Sequence, residues 1–288
     1  MIISAIDIGS NSVRLATFAD GKTLYKRLET TRLGEGLSFT GRMTDAAIER
    51  SAQAVSNYYL TAKSDGAQRV YAFATAAVRS SSNGSAFVER VRELCGLQVE
   101  VLSGETEAKI AVLGAIGNAD GGIIDLGGAS TEVTVQKDGK TLYAKSVNIG
   151  AVRLYDIAGR DRDKLVEAID EKIAEYGGFT AENYAMCGVS GTATTLAALK
   201  HKLRVYDSSV VQGSTLEVEE VEGYAEELLK TPIESICQML TVDSRRADII
   251  GGGALLLGRL MRALKINKMT VSDRDNLEGF VIYKEGRL

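Results

Sequence analysis

One histidine, three scattered cysteines and no long apolar run leave this chain of 288 residues with few of the usual routes to chemistry. His201, in "AALKHKL", reads as a surface residue at a helix end, which excludes a Ser-His-Asp triad. Cys95, Cys187 and Cys237 are odd in number, far apart and not in a C-x-x-C pair. Neither a disulfide framework nor a zinc site is expected, and a reducing, cytoplasmic setting fits best. The longest uncharged run near the C-terminus, "IIGGGALLLG" at 249–258, is too short to span a bilayer. The chain opens directly on a strand pattern without a basic-then-apolar leader, so no export signal is expected. A net charge of −4 argues against broad binding of nucleic acid or an anionic membrane. No G-x-x-x-x-G-K-[ST] occurs, so a P-loop enzyme is excluded.

What is present is a globular composition, 45% apolar and 25% charged, with room for real hydrophobic cores. The first 33 residues read as strand, turn, strand, turn, strand, with Gly9 and Gly21 marking the turns. A helix follows from Thr44 or Asp45 with the stripe Ile48, Ala52, Val55, Tyr59. Strand "RVYAFATAAV", a helix from about Ser85 to Leu94, a short strand at "QVEVLS" and a helix from Ser103 to about Ile116 complete a first half. The pattern then restarts at "GGIIDLGGASTEV". Setting "SAIDIGSNSV" beside "GIIDLGGAST" aligns Asp7 with Asp125, Gly9 with Gly127 and Ser12 with Ser130, an internal repeat of 118 residues. The second half continues through "NYAMCGVSGTATTLAAL", a helical region from about Leu216 to Leu264, the strand "KMTVS" and a last helix. The expected architecture is α/β, with domains at 1–118 and 119–288 facing each other across a cleft and the last helix returning to the first domain.

The two glycine-bearing turns expose backbone N–H groups and admit a bulky polyanion, so phosphate is the first ligand to consider. Asp7 and Asp125 end the strands before those turns. Each accepts hydrogen bonds from its own turn or, with Glu132, helps hold a divalent cation beside phosphate. Ser103 opens a helix whose first turn carries Glu105 and Glu107. Acids there suit the helix dipole, and with no useful histidine a glutamate is also the natural group to activate water. Arg79, in "FATAAVRSSSNG", can clamp phosphate oxygens in a bidentate way. Arg14 and Arg153 either add charge or serve as structural ion-pair partners. "GVSGTATTL" at 188–196 leads a Gly/Ser/Thr loop into a helix N-terminus, a further anion site.

Taken together, "AIDIGSNSVRL", "ATAAVRSSSNG", "SGETEAK", "IIDLGGASTEV", "NIGAVRL" and "GVSGTATTL" resemble the exopolyphosphatase / guanosine pentaphosphate phosphatase (Ppx/GppA) family. That family lies within the actin, sugar kinase and heat-shock chaperone superfamily. The resemblance implies two actin-like (ribonuclease H-like) domains. It also implies Mg²⁺-dependent attack of water on a terminal phosphate of polyphosphate or pppGpp. On that basis Glu107 and Glu132 are the expected catalytic acids, and Asp7, Asp125 and Glu132 the metal-site carboxylates. The phosphate-binding set is Ser10, Asn11, Ser12, Arg14, Arg79, Asn83, Gly127, Gly128, Ala129, Ser130, Gly191 and Thr192. A homodimer is allowed for. The alternatives are a nucleotide-binding regulator with little turnover and an ATP-dependent kinase of the same superfamily. Two departures stand out. Ala129 replaces a third glycine and would crowd the turn if its φ had to be positive. Leu277, in "SDRDNLEG", stands where an arginine is expected. The extra helical domains of longer members have no counterpart, so weak processivity is expected.

Overall fold

The computed structural model of the chain describes residues 1–240 and 244–288. It divides into two compact units, Met1–Gly114 together with Asn276–Leu288, and Ala115–Asp275.

The first unit is built on β1 (Ile2–Ile8), β2 (Ser12–Ala19), β3 (Lys22–Thr30), β4 (Arg69–Ala74) and β5 (Val99–Val101), in the sheet order β3-β2-β1-β4-β5. β1 runs antiparallel to β2 and parallel to β4, so the sheet begins as a three-stranded meander and continues with parallel crossovers. Strand alternation sends Ile6 and Ile8 into one core and Ile3 and Ala5 into another. The first core is closed by the helix Asp45–Ser64, which Thr44 caps by accepting from Ala47 N at 3.1 Å. Ile48, Ala52 and Val55 of the expected stripe are buried. The second core is closed by the last helix, Asn276–Glu285.

Leu277 lies in that second core beside Ile3, Ala5, Ala16, Phe18 and Val281. The position where an arginine contact was expected is therefore filled by an apolar residue that packs. Glu278 next to it is 1% exposed and pairs with Lys26 Nζ at 2.8 Å. Gly279 touches the helix Gly104–Ala115 so closely that a Cβ would sit 1.8 Å from the Ile110 carbonyl oxygen.

The second unit holds β6 (Gly121–Leu126), β7 (Thr131–Lys137), β8 (Lys140–Val147), β9 (Met186–Val189), β10 (Thr215–Glu217) and β11 (Lys268–Val271), ordered β10-β11-β9-β6-β7-β8. Without β10, which the sequence pattern did not reveal, the path β8-β7-β6-β9-β11 repeats the first sheet strand for strand. The repeat reaches individual residues. Asp20 and Gly21 turn the first hairpin with φ of 50° and 79°, and Asp138 and Gly139, 118 positions on, turn the second with 51° and 69°. Bulges at Thr17/Phe18 and Val135/Gln136 keep the same spacing.

The expected helical region resolves into Val218–Lys230, Ile233–Met239 and Ile250–Ala263, with Pro232 at the second start. Residues 241–243 of that stretch lie outside the described residues. The stripe Ala247, Ile250, Ala254, Leu257, Met261 and Leu264 is buried throughout. Among the described residues no helix is long and apolar enough to cross a membrane.

Candidate active site

In the first unit the turn between β1 and β2 closes with Gly9 N donating to Ser12 O at 3.0 Å. The carbonyl of Ser10 accepts from Gly34 N at 2.8 Å, and that of Asn11 from Thr31 N and Arg32 N at 3.0 and 2.8 Å. The carbonyls are thus tied to the loop after β3. Among the described residues the N–H groups of Ser10 and Asn11 donate to no main-chain carbonyl, and Asn11 Nδ2 is buried without an acceptor. Donors held in a row with their carbonyls turned away form an anion-binding concavity.

The equivalent turn in the second unit is braced in the same manner. Gly127 N donates to Ser130 O at 3.0 Å. The helix Ala151–Ala158 supplies Ala151 N to Gly127 O and Val152 N and Arg153 N to Gly128 O, at 2.9 to 3.0 Å. Gly150 allows this approach, since a Cβ there would lie 2.6 Å from Gly127 O. Arg153 Nε donates to Ala129 O at 2.9 Å, so Arg153 serves as a strut for the turn, and burial pulls its guanidinium below the ordinary value. Among the described residues the N–H groups of Gly128 and Ala129 donate to no main-chain carbonyl. Ala129 does not have a positive φ, so the missing glycine brings no strain.

The hairpins differ in charge at the pair that holds the aligned acids. In the first hairpin Asp7 lies opposite Arg14, and Arg14 Nε and Nη2 both donate to Asp7 Oδ2, the former at 3.1 Å. Arg14 is therefore an ion-pair partner of Asp7. The pair engages Asp7 through Oδ2. In the second hairpin Asp125 lies opposite Glu132, with exposures of 4% and 2%. Ser146 Oγ, opposite Glu132 on β8, donates to its Oε1 at 2.6 Å, and Ser190 Oγ donates to Asp125 Oδ1. Burial pushes the Tyr176 phenol up, and the nearby Glu132 carboxylate adds to the rise. Two buried carboxylates side by side make an all-oxygen donor set that fits a hard divalent cation. Among the described residues no third His, Cys, Asp or Glu completes a cluster around them.

Glu107 is 5% exposed while Glu105 points to solvent. The helix that carries both is capped by Ser103 Oγ, which accepts from Thr106 N at 3.1 Å. Arg79 Nη1 donates to Glu107 Oε2 at 2.5 Å and to Leu102 O at 3.0 Å. Among the described residues Arg79 Nε and Nη2 donate to nothing in the protein, so one arm holds the carboxylate and the rest of the fork is available. Asn83 is a brace for this loop. Its Oδ1 accepts from Met43 N and its Nδ2 donates to Met43 O, both at 2.9 Å. Its amide is thus anchored to the Met43 backbone through one acceptor and one of its two N–H donors.

Gly191 and Thr192 stand in the first turn of the helix Ser190–Lys200. A Cβ on Gly191 would lie 1.5 Å from Arg246 Nη1, so the glycine makes room for a guanidinium at that helix start. Sequence reasoning missed Arg246, Ser146 and Ser190. Ser146 was within reach of the register implied by the Asp138-Gly139 turn; Arg246 comes from a distant segment and left no local signal. His201 is exposed at the end of the same helix, as its sequence context suggested.

The Ppx/GppA phosphatase family matches residues 15–287 of the chain. A bifunctional 3-dehydroquinate synthase/phosphatase of Fusobacterium nucleatum is 29% identical over 97% of this chain and 46% of its own length. The chain thus spans about half of that relative. Exopolyphosphatase 2 of Mycobacterium tuberculosis is 28% identical over 99% of this chain and 98% of its own length. Among solved structures, a Ppx/GppA family member from Aquifex aeolicus superposes with a TM-score of 0.79 at 29% identity, covering 99% of this chain and 97% of that one. The two-sheet α/β architecture is that of the Ppx/GppA structures it superposes on.

Proposed function

The chain belongs to the Ppx/GppA phosphatase family, and from that premise we propose that it hydrolyses phosphoanhydrides, releasing orthophosphate from the end of inorganic polyphosphate and acting on pppGpp as a second substrate. The near full-length likeness to an exopolyphosphatase supports polyphosphate as the first of these. The observation that carries the reading is the changed cross-strand pair. Where the first hairpin sets Arg14 against Asp7, the second sets Glu132 against Asp125. Like charges directly opposite are destabilising on their own, so the second hairpin gives up a self-contained ion pair for a cation-binding one.

Asp125 and Glu132 are the residues assigned to the cation, while Asp7 in the first unit faces Arg14. Mg²⁺ held there would neutralise charge on the phosphoryl oxygens. Phosphate oxygens are assigned to the N–H groups of Ser10 and Asn11 with the Ser12 hydroxyl in the first unit's turn, and to the N–H groups of Gly128 and Ala129 with the Ser130 hydroxyl in the second unit's turn, where Gly127 N–H closes the turn on Ser130 O. Gly191 and Thr192, at a helix start with Arg246 over it, give a further anion contact. Arg79 orients Glu107 with one nitrogen and offers its remaining fork to phosphate. Glu107 takes a proton from water as the water oxygen attacks the terminal phosphorus. The bond to the bridging oxygen breaks, and the shortened chain leaves with the electron pair. Cys95, Cys187 and Cys237 are free thiols, which suits a reducing cytoplasm.

The test is phosphate release from long and short polyphosphate, pppGpp and ATP, with Mg²⁺ and with chelator. Metal-dependent release from polyphosphate is expected. Tight binding of one of these without release would make the protein a sensor instead.

A further inference from the structure

Ser190 joins β9 to the helix Ser190–Lys200 with φ of 67°. Non-glycine residues rarely adopt that left-handed region, and glycines stand close by at Gly188 and Gly191. The strained position is nevertheless given to a serine. β9 runs parallel to β6 with Val189 in register with Asp125, so the residue after Val189 emerges beside the Asp125 carboxylate. The Ser190 hydroxyl donates to Asp125 Oδ1. From the other side the turn is fixed by Arg246 against Gly191, and the Ser190 carbonyl is tied by Thr194 Oγ1 at 3.1 Å. Strain that the surroundings hold in place, with a hydroxyl aimed at a buried acid, is the signature of a functional constraint.

We propose that Ser190 is a positioning residue that sets the orientation of the Asp125 carboxylate toward a divalent cation, its left-handed backbone being retained for that hydrogen bond. The proposal rests on the assignment of Asp125 to the cation. Partners of metal-ligating carboxylates change metal affinity by about 10–100-fold when removed. The hydroxyl should do the same here without touching the metal.

The experiment compares Mn²⁺ binding, followed by electron paramagnetic resonance, and thermal stability in the full chain and in Ser190→Gly, Ser190→Ala and Asp125→Asn. Ser190→Gly relieves the backbone strain and removes the hydroxyl. It should keep or raise Tm while weakening Mn²⁺ binding by about 10–100-fold. Ser190→Ala should weaken Mn²⁺ binding equally, and in both variants turnover should return as metal is raised. If Asp125→Asn loses Mn²⁺ but the glycine variant binds it like the native chain, Ser190 serves only the turn and the proposal is overturned. If Asp125→Asn itself binds Mn²⁺ normally, the cation assignment fails and the Ser190 role falls with it.

Discussion

Glu105 and Glu107 sit two residues apart in one helical turn, and the helix dipole favours both alike. What separates them is burial and a partner. Glu107 is enclosed and held by Arg79, while Glu105 faces water. Sequence spacing could nominate the pair, but only packing could choose between them. If Glu107 acts on water and not on the bound anion, Glu107→Gln should lower kcat by roughly 10²–10⁴-fold. KM for polyphosphate should change little, because the ground state does not depend on the proton. Steady-state kinetics at saturating Mg²⁺ would read both values. A raised KM with unchanged kcat would make Glu107 a structural partner of Arg79. Arg14 and Asn83 suit phosphate by residue type, and each is also held by a partner within the protein. Asp7 takes up the first and the Met43 backbone the second. Hydrogen-bond partners fixed by strand register and loop packing are not written in local sequence.

At the level of elements, the paired hairpins were legible because turn chemistry is local. Asp20-Gly21 and Asp138-Gly139 need left-handed backbone, and Gly9 and Gly127 sit where each β-turn closes. β10 was not legible. It is three residues long and owes its existence to pairing with β11, a tertiary event. The seat of the last helix was foreseen only as a return to the first half, and the reason lies in Gly279. With no Cβ, it lets the helix lie directly on the Ile110 carbonyl. Gly279→Ala should therefore force the helices apart and destabilise the first unit by about 1–3 kcal/mol, despite alanine's better helix propensity. Urea unfolding would measure this. An unchanged or raised midpoint would mean that the contact yields freely.

At the level of the whole molecule, one sheet plan is used twice, and the aligned acids of the two copies face cross-strand partners of opposite charge. Arg14 faces Asp7 in the first copy; Glu132 faces Asp125 in the second, the pair we propose for a cation. The aligned acids Asp7 and Asp125 were legible as a repeat, but sequence alone treated them as equals. The decisive measurement is Mn²⁺ binding to the native chain and to Glu132→Arg, which copies the first hairpin's pair into the second, with Glu132→Gln alongside as a smaller change. The account predicts a folded Glu132→Arg protein that has lost both Mn²⁺ binding and polyphosphate hydrolysis, and a Glu132→Gln protein weakened in both. Native-like Mn²⁺ affinity in the arginine variant would contradict it and place the cation elsewhere.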